Sequence, residues 1–145
     1  MQIEKLLCIL LEVCGWSMIS LALVHFWLPK QLRWHDDLDK LAPINSQIFI
    51  AHTAFIAIGI LLLGLVCAVF PLAFLQRTQL GMVAAACFSM CWISRLVLQF
   101  TLFTGDITLS RRFDLFLRIC GTLLWAFYSS IFSLLFAFQA GLVNG

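Results

Sequence analysis

Four long apolar runs constrain what this chain can fold into: Leu6–Leu28, Gln47–Phe70, Leu80–Phe103 and Asp114–Phe138. Each reaches the roughly 20 residues that a helix needs to cross the hydrocarbon core of a bilayer. None contains a proline, and none alternates polar with apolar residues as a barrel strand would. A spanning segment must satisfy its own backbone groups, so helices are the reading that remains. The expected fold is an all-α integral membrane protein, a four-helix transmembrane bundle forming one domain over residues 1–145. Breaks are expected at Pro29, at Pro43 with Asn45, at Pro71 and at Gly105-Asp106. Asn45 or Ser46 can cap the second helix and Ser110 the fourth. Small residues at Gly59, Gly64, Ala68, Gly81 and Ala84–Ala86 would let helices approach closely.

Composition agrees with a membrane protein. Hydrophobic residues make up 63% of the chain and charged residues 11%, against about half and about a quarter in a soluble domain. A net charge of +2 without a basic run gives no footprint for nucleic acid. The six cysteines lie in apolar runs and form no CxxC, which predicts free thiols among helices rather than a disulfide framework. The first apolar run exceeds the core of a secretory leader and lacks a small-x-small cleavage site, so it reads as a retained span.

Lysine and arginine predict orientation. Lys30, Arg33, Lys40, Arg111 and Arg112 fall in the first and third loops, with Arg118 just inside the fourth span. The opposite side carries only Lys5 and Arg77. Both termini are therefore expected on the non-cytoplasmic side. In the first loop Trp34, Leu38 and Leu41 recur at helical spacing, with charges on the other faces. That pattern predicts a short amphipathic helix lying in the interface.

Within this apolar sequence, a few polar side chains need a reason. His25 and His52 are expected about 5 and 7 Å inside the membrane, Arg95 about 12 Å and Gln99 about 6 Å, all from the same side. Ionisable residues at such depths usually face a bundle interior and mark function. Cys87, Cys91, Arg95 and Gln99 recur at steps of four, and Arg118, Thr122, Trp125, Ser129 and Ser133 form a second polar stripe. Both stripes are expected to turn inward. Arg95 could be answered by Asp106 or by Asp36, Asp37 or Asp39 of the first loop, by a buried anionic ligand, or by Gln99 and backbone carbonyls in a purely structural role.

Candidate cofactor-binding residues are thus His25, His52, Arg95, Gln99 and Arg118. One histidine on each of two antiparallel helices could ligate a b-type haem axially, with Arg95 or Arg118 beside a propionate. Interface histidines that simply hydrogen-bond are the bland counterpart. A metal site built from His25, His35 and His52 with Asp36, Asp37 and Asp39 is weaker, because no HxxH, HExxH or ExxH pair preorganises it. Glu12 is the odd residue near the other end of the first span, where it can mark a slipped helix start, pair with Lys5 or remain protonated. No nucleophile elbow, phosphate loop or dinucleotide fingerprint occurs. The sequence therefore leans away from an enzyme. It suggests a small accessory subunit of a larger membrane complex or a homo-oligomer. The reading set against this is a redox-linked binder of haem, quinone or another lipophilic or anionic ligand at the His25, His52, Arg95 and Gln99 level.

Overall fold

The computed structural model describes residues 2–102 and 111–143. They form α1 (Gln2–Gln31), α2 (Trp34–Leu38), α3 (Pro43–Val69), α4 (Pro71–Leu75), α5 (Gln79–Thr101) and α6 (Arg111–Gln139), with no strand among the described residues. The fold is all-α, as the sequence predicts. The helices α1, α3, α5 and α6 are long and apolar enough to cross a membrane, which makes the chain a multi-pass integral membrane protein. The expected break at Gly105-Asp106, the Ser110 cap, Phe103 and Asp106 lie outside the described residues, as do the side chains of Arg111, Arg112 and Asp114.

Helix ends differ from the sequence reading at several points. Pro29 does not end α1, which runs on to Gln31. In the last turn a proline withholds one donor, while its fixed φ remains helical and little helix follows to be kinked. The helix α3 starts at Pro43 rather than Gln47, with Ala42 as N-cap and no side-chain cap, so Asn45 and Ser46 lie inside its first turn. Proline at the first helical position removes an amide that would have lacked a partner anyway. Thr78 caps α5, its Oγ1 accepting from the Gly81 amide at 2.9 Å. The interfacial helix is present as α2, but it stops at Leu38 and leaves Leu41 outside. A further short helix, α4, was not foreseen.

The chain divides into two compact units, Leu11–Pro71 and Met1–Leu10 with Leu72–Gly145. In the first unit α1 and α3 cross with their backbones almost touching. A Cβ added at Gly15 would meet the Ala68 amide, the Gly64 carbonyl oxygen at 2.6 Å and the Ala68 Cα at 2.8 Å. One added at Gly64 would meet the Met18 Cβ at 2.9 Å and the Gly15 carbonyl oxygen at 3.0 Å. Gly64 and Ala68 thus act as the sequence predicts, but Gly59 faces open space.

In the second unit α5 packs along α6. The helix α6 buries Trp125, Tyr128, Phe132, Leu135 and Phe138, which recur every three or four residues as one helical face must. The α5 face is Ala85, Ser89 and Trp92. Ser89 and Ser133 share a hydrogen bond of 2.7 Å across the two helices. The expectation that Cys87 and Cys91 turn inward fails, because both are exposed. Steps of four residues advance about 400° around a helix, so a stripe drifts about 40° each time and leaves the packed face within two steps. All six cysteines are free thiols.

At the end of this unit the Gln139 amide clasps the chain between α4 and α5. Its NH2 group donates to the carbonyls of Phe74 and Gln76, the latter at 3.0 Å, and its carbonyl accepts from the Thr78 amide at 3.3 Å. Nearby, the Arg77 guanidinium lies 4.6 Å over the Phe138 ring and donates to the Val143 carbonyl at 3.3 Å.

Candidate functional site

The first polar cluster belongs to the α5–α6 unit and answers part of the Arg95 question. Arg95 Nη1 donates to Gln99 Oε1 at 3.2 Å, and the Trp125 indole N–H donates to the same oxygen at 3.3 Å. Arginine and indole can only donate, so the Gln99 amide is oriented with its oxygen between them. The Arg95 guanidinium also lies 4.6 Å over the Trp125 ring, where the negative face of an indole attracts a cation. Trp125 in turn stacks on Trp92, with ring centroids 5.6 Å apart and planes 13° apart, and Tyr128 packs on Trp92 at 4.6 Å. The half-buried arginine is thus tied into an aromatic wall joining α5 to α6. Arg118 is half-buried on α6, two turns from Trp125 toward the helix start.

The second cluster belongs to the unit of α1, α2 and α3, where a cavity of about 570 Å³ opens. Its wall is mainly apolar: Phe26 and Pro29 of α1, Trp34 and Leu38 of α2, and Phe49 and Ile50 of α3 are among its residues. The α3 side follows one stripe, Ser46, Phe49, Ile50, Thr53, Ala54 and Ala57, at the three-and-four spacing of a helix face. Trp34 and Phe49 meet edge to face at 5.1 Å, which holds α2 against the start of α3.

Polar groups on this cavity lie in two sets. Lys30, His35 and Asp39 surround the α2 side. His35 Nδ1 and the Asp39 carboxylate are 3.1 Å apart across one helical turn, both strongly exposed. The neighbouring carboxylates are engaged locally, Asp36 with Arg33 at 2.8 Å and Asp37 with Lys40 at 2.9 Å. Along α1 and α3 sit His25, Ser46 and Thr53. His25 Nδ1 bonds the Leu21 carbonyl at 2.8 Å, and Thr53 Oγ1 donates to the Phe49 carbonyl at 2.9 Å.

Hydrogen bonding to the His35 backbone, and then the Asp39 carboxylate, raise the pKa of the His35 imidazole above its ordinary 6.5. A group with a raised native pKa favours the folded α2 below its ordinary pKa. That contribution fades as pH climbs through the higher native value. The His35 ring proton resonance should therefore titrate with a midpoint above 6.5, and Asp39→Asn should lower that midpoint. An unmoved midpoint in the variant would show that the pair does not form.

The structure brings two of the five sequence candidates into contact and distributes the five between the two units. Arg95 and Gln99 are bonded to each other in the α5–α6 unit, which also holds Arg118. His25 lies on the cavity wall of the other unit. His52 is in that unit too, but it is exposed and falls off the α3 stripe that lines the cavity. An axial histidine pair is therefore not assembled in this cavity. No group of three or more His, Cys, Asp or Glu residues that could hold a metal ion occurs among the described residues. Sequence reasoning missed Trp125 as the ring under Arg95, although it had placed Trp125 on the right stripe. It also missed the cavity, whose members come from α1, α2 and α3 and meet only through the packing of those helices. Comparison with protein families, curated proteins and solved structures finds no match for this chain.

Proposed function

We propose that this is a non-catalytic membrane protein that holds a small lipophilic ligand between α1, α2 and α3, as one transmembrane domain with both termini outside the cytoplasm. The observation that carries this reading is the cavity itself. Its volume of about 570 Å³ falls within the range of small-molecule sites, which pair apolar walls with a few placed polar groups. The Lys and Arg bias of the first and third loops supports an α2 side at the cytoplasmic interface, where a ligand could enter from either lipid or water. Native mass spectrometry of gently solubilised protein tests the proposal. An intact adduct is expected from the native chain, and Ala54→Trp should fill the cavity and cut retention at least about tenfold without unfolding the protein. Undiminished adduct in that variant would refute the site.

A second reading, an accessory subunit or homo-oligomer, has its own support. Only 11% of the most apolar stretch of α3 is buried within the chain, and a Cβ added at Gly59 would meet nothing within 4 Å. Such a face contacts lipid or a partner helix. A photo-crosslinker at Phe55, which is 78% exposed, should give discrete protein adducts in native membranes. Lipid adducts alone would remove the subunit reading.

A further inference from the structure

We infer that the ligand of this cavity presents a hydroxyl as a hydrogen-bond donor to His25 and Thr53; this rests on the cavity being a ligand site. A carbonyl oxygen can only accept, so the contact between His25 Nδ1 and the Leu21 carbonyl places the imidazole hydrogen on Nδ1. In the neutral ring Nε2 then carries a lone pair and accepts. The same logic applies to Thr53, whose only O–H is directed to the Phe49 carbonyl. Its oxygen keeps lone pairs for a partner.

Both side chains line the cavity, and each has its hydrogen committed to the carbonyl four residues back on its own helix. His25 and Thr53 therefore both present acceptors to the cavity. A ligand head that can only accept, such as a quinone carbonyl or an ether, leaves both lone pairs unanswered in apolar surroundings. A head with an O–H, such as a quinol, a phenol or a long-chain alcohol, answers them. Lys30 and Asp39 on the same wall carry opposite charges, which gives a charged head no net attraction, whereas a neutral O–H needs only the two acceptors. The reduced, hydroxylated form of a lipophile is thus selected over its oxidised or alkylated form. A site built for an O–H enforces such a choice, because its own groups are left unpaired when the O–H is missing.

The test uses the full chain in detergent at mildly alkaline pH, with para-octylphenol and its methyl ether para-octylanisole as probes. The two differ in the single O–H. Native mass spectrometry at matched free concentrations should give the phenol at least about a tenfold tighter Kd. Thr53→Val keeps the side-chain shape and His25→Phe keeps aromatic bulk; each should reduce the preference to about threefold or less, with ether binding held or tightened because an unpaired acceptor is gone. If His25→Phe fails to fold, Thr53→Val carries the test alone. Equal affinity for phenol and ether in the native protein overturns the hydroxyl assignment but leaves the cavity a ligand site. Binding of neither probe overturns the cavity reading as well.

Discussion

Gly15→Ala should destabilise the protein by about 3 kcal/mol or more, although it adds a single methyl group. The α1–α3 crossing has no space for that methyl: the nearest atoms are the Ala68 amide and Cα and the Gly64 carbonyl oxygen. These are backbone atoms, so no rotamer change relieves the overlap, and one helix must move away from the other. Losing the close approach also loses dispersion contacts along the crossing, which in a bilayer has no hydrophobic driving force between helices to replace them. Gly59→Ala is the matched control. Its Cβ would meet nothing within 4 Å, and alanine is the better helix former by up to about 1 kcal/mol. Unfolding by SDS titration from mixed micelles should show a large loss for the first variant and none for the second. Equal stability of the two would mean that the helices do not cross at Gly15.

Gln139→Leu should cost about 2–3 kcal/mol, the second large effect. One amide satisfies the carbonyls of Phe74 and Gln76 and the amide of Thr78, and Gln139 is 8% exposed. Leucine matches its size but leaves three backbone groups unsatisfied. Gln139→Glu should fail almost as badly, since an ionised carboxylate can accept from Thr78 but offers nothing to two carbonyls. SDS titration gives the stability change, and hydrogen exchange at the Thr78 amide should accelerate in Gln139→Leu and less in Gln139→Glu, which keeps an acceptor for it. Unchanged Thr78 protection in Gln139→Leu would show that the clasp does not hold this segment.

Much of the architecture was legible because its causes are local. The four spans follow from run length and from the need of a backbone in lipid to bond to itself. Pro71 follows α3 and Trp34 opens α2 where the sequence suggested a break and an interfacial helix. The misplaced ends have local causes of a different sort: Pro29 and Pro43 read as breaks, yet one is tolerated in a last turn and the other is preferred in a first turn. Cys87 and Cys91 were misplaced because a stripe at steps of four drifts off the packed face, whereas Ala85, Ser89 and Trp92 stay on it.

The site was less legible. Arg95 and Gln99 stand one turn apart, so their contact could be anticipated; the indole beneath the guanidinium comes from another helix. His25 and His52 looked equivalent by depth, and rotation about α3 separates them: Thr53 faces the cavity and its neighbour His52 does not. A shift of one residue turns a side chain by about 100°, and sequence depth is blind to that angle.

The sequence by itself determined that this chain is a multi-pass, all-α membrane protein with four spans, free thiols and a few costly polar residues. Periodicity and transfer free energy act on each segment alone, and those terms can be summed along a chain. Tertiary structure alone decided that Gly15 rather than Gly59 bears the helix crossing, that Gln139 clasps the segment before α5, and that His25 faces a cavity with Thr53. Those outcomes depend on which face of each helix meets which neighbour, and helices with apolar residues on nearly every side encode that rotation only weakly.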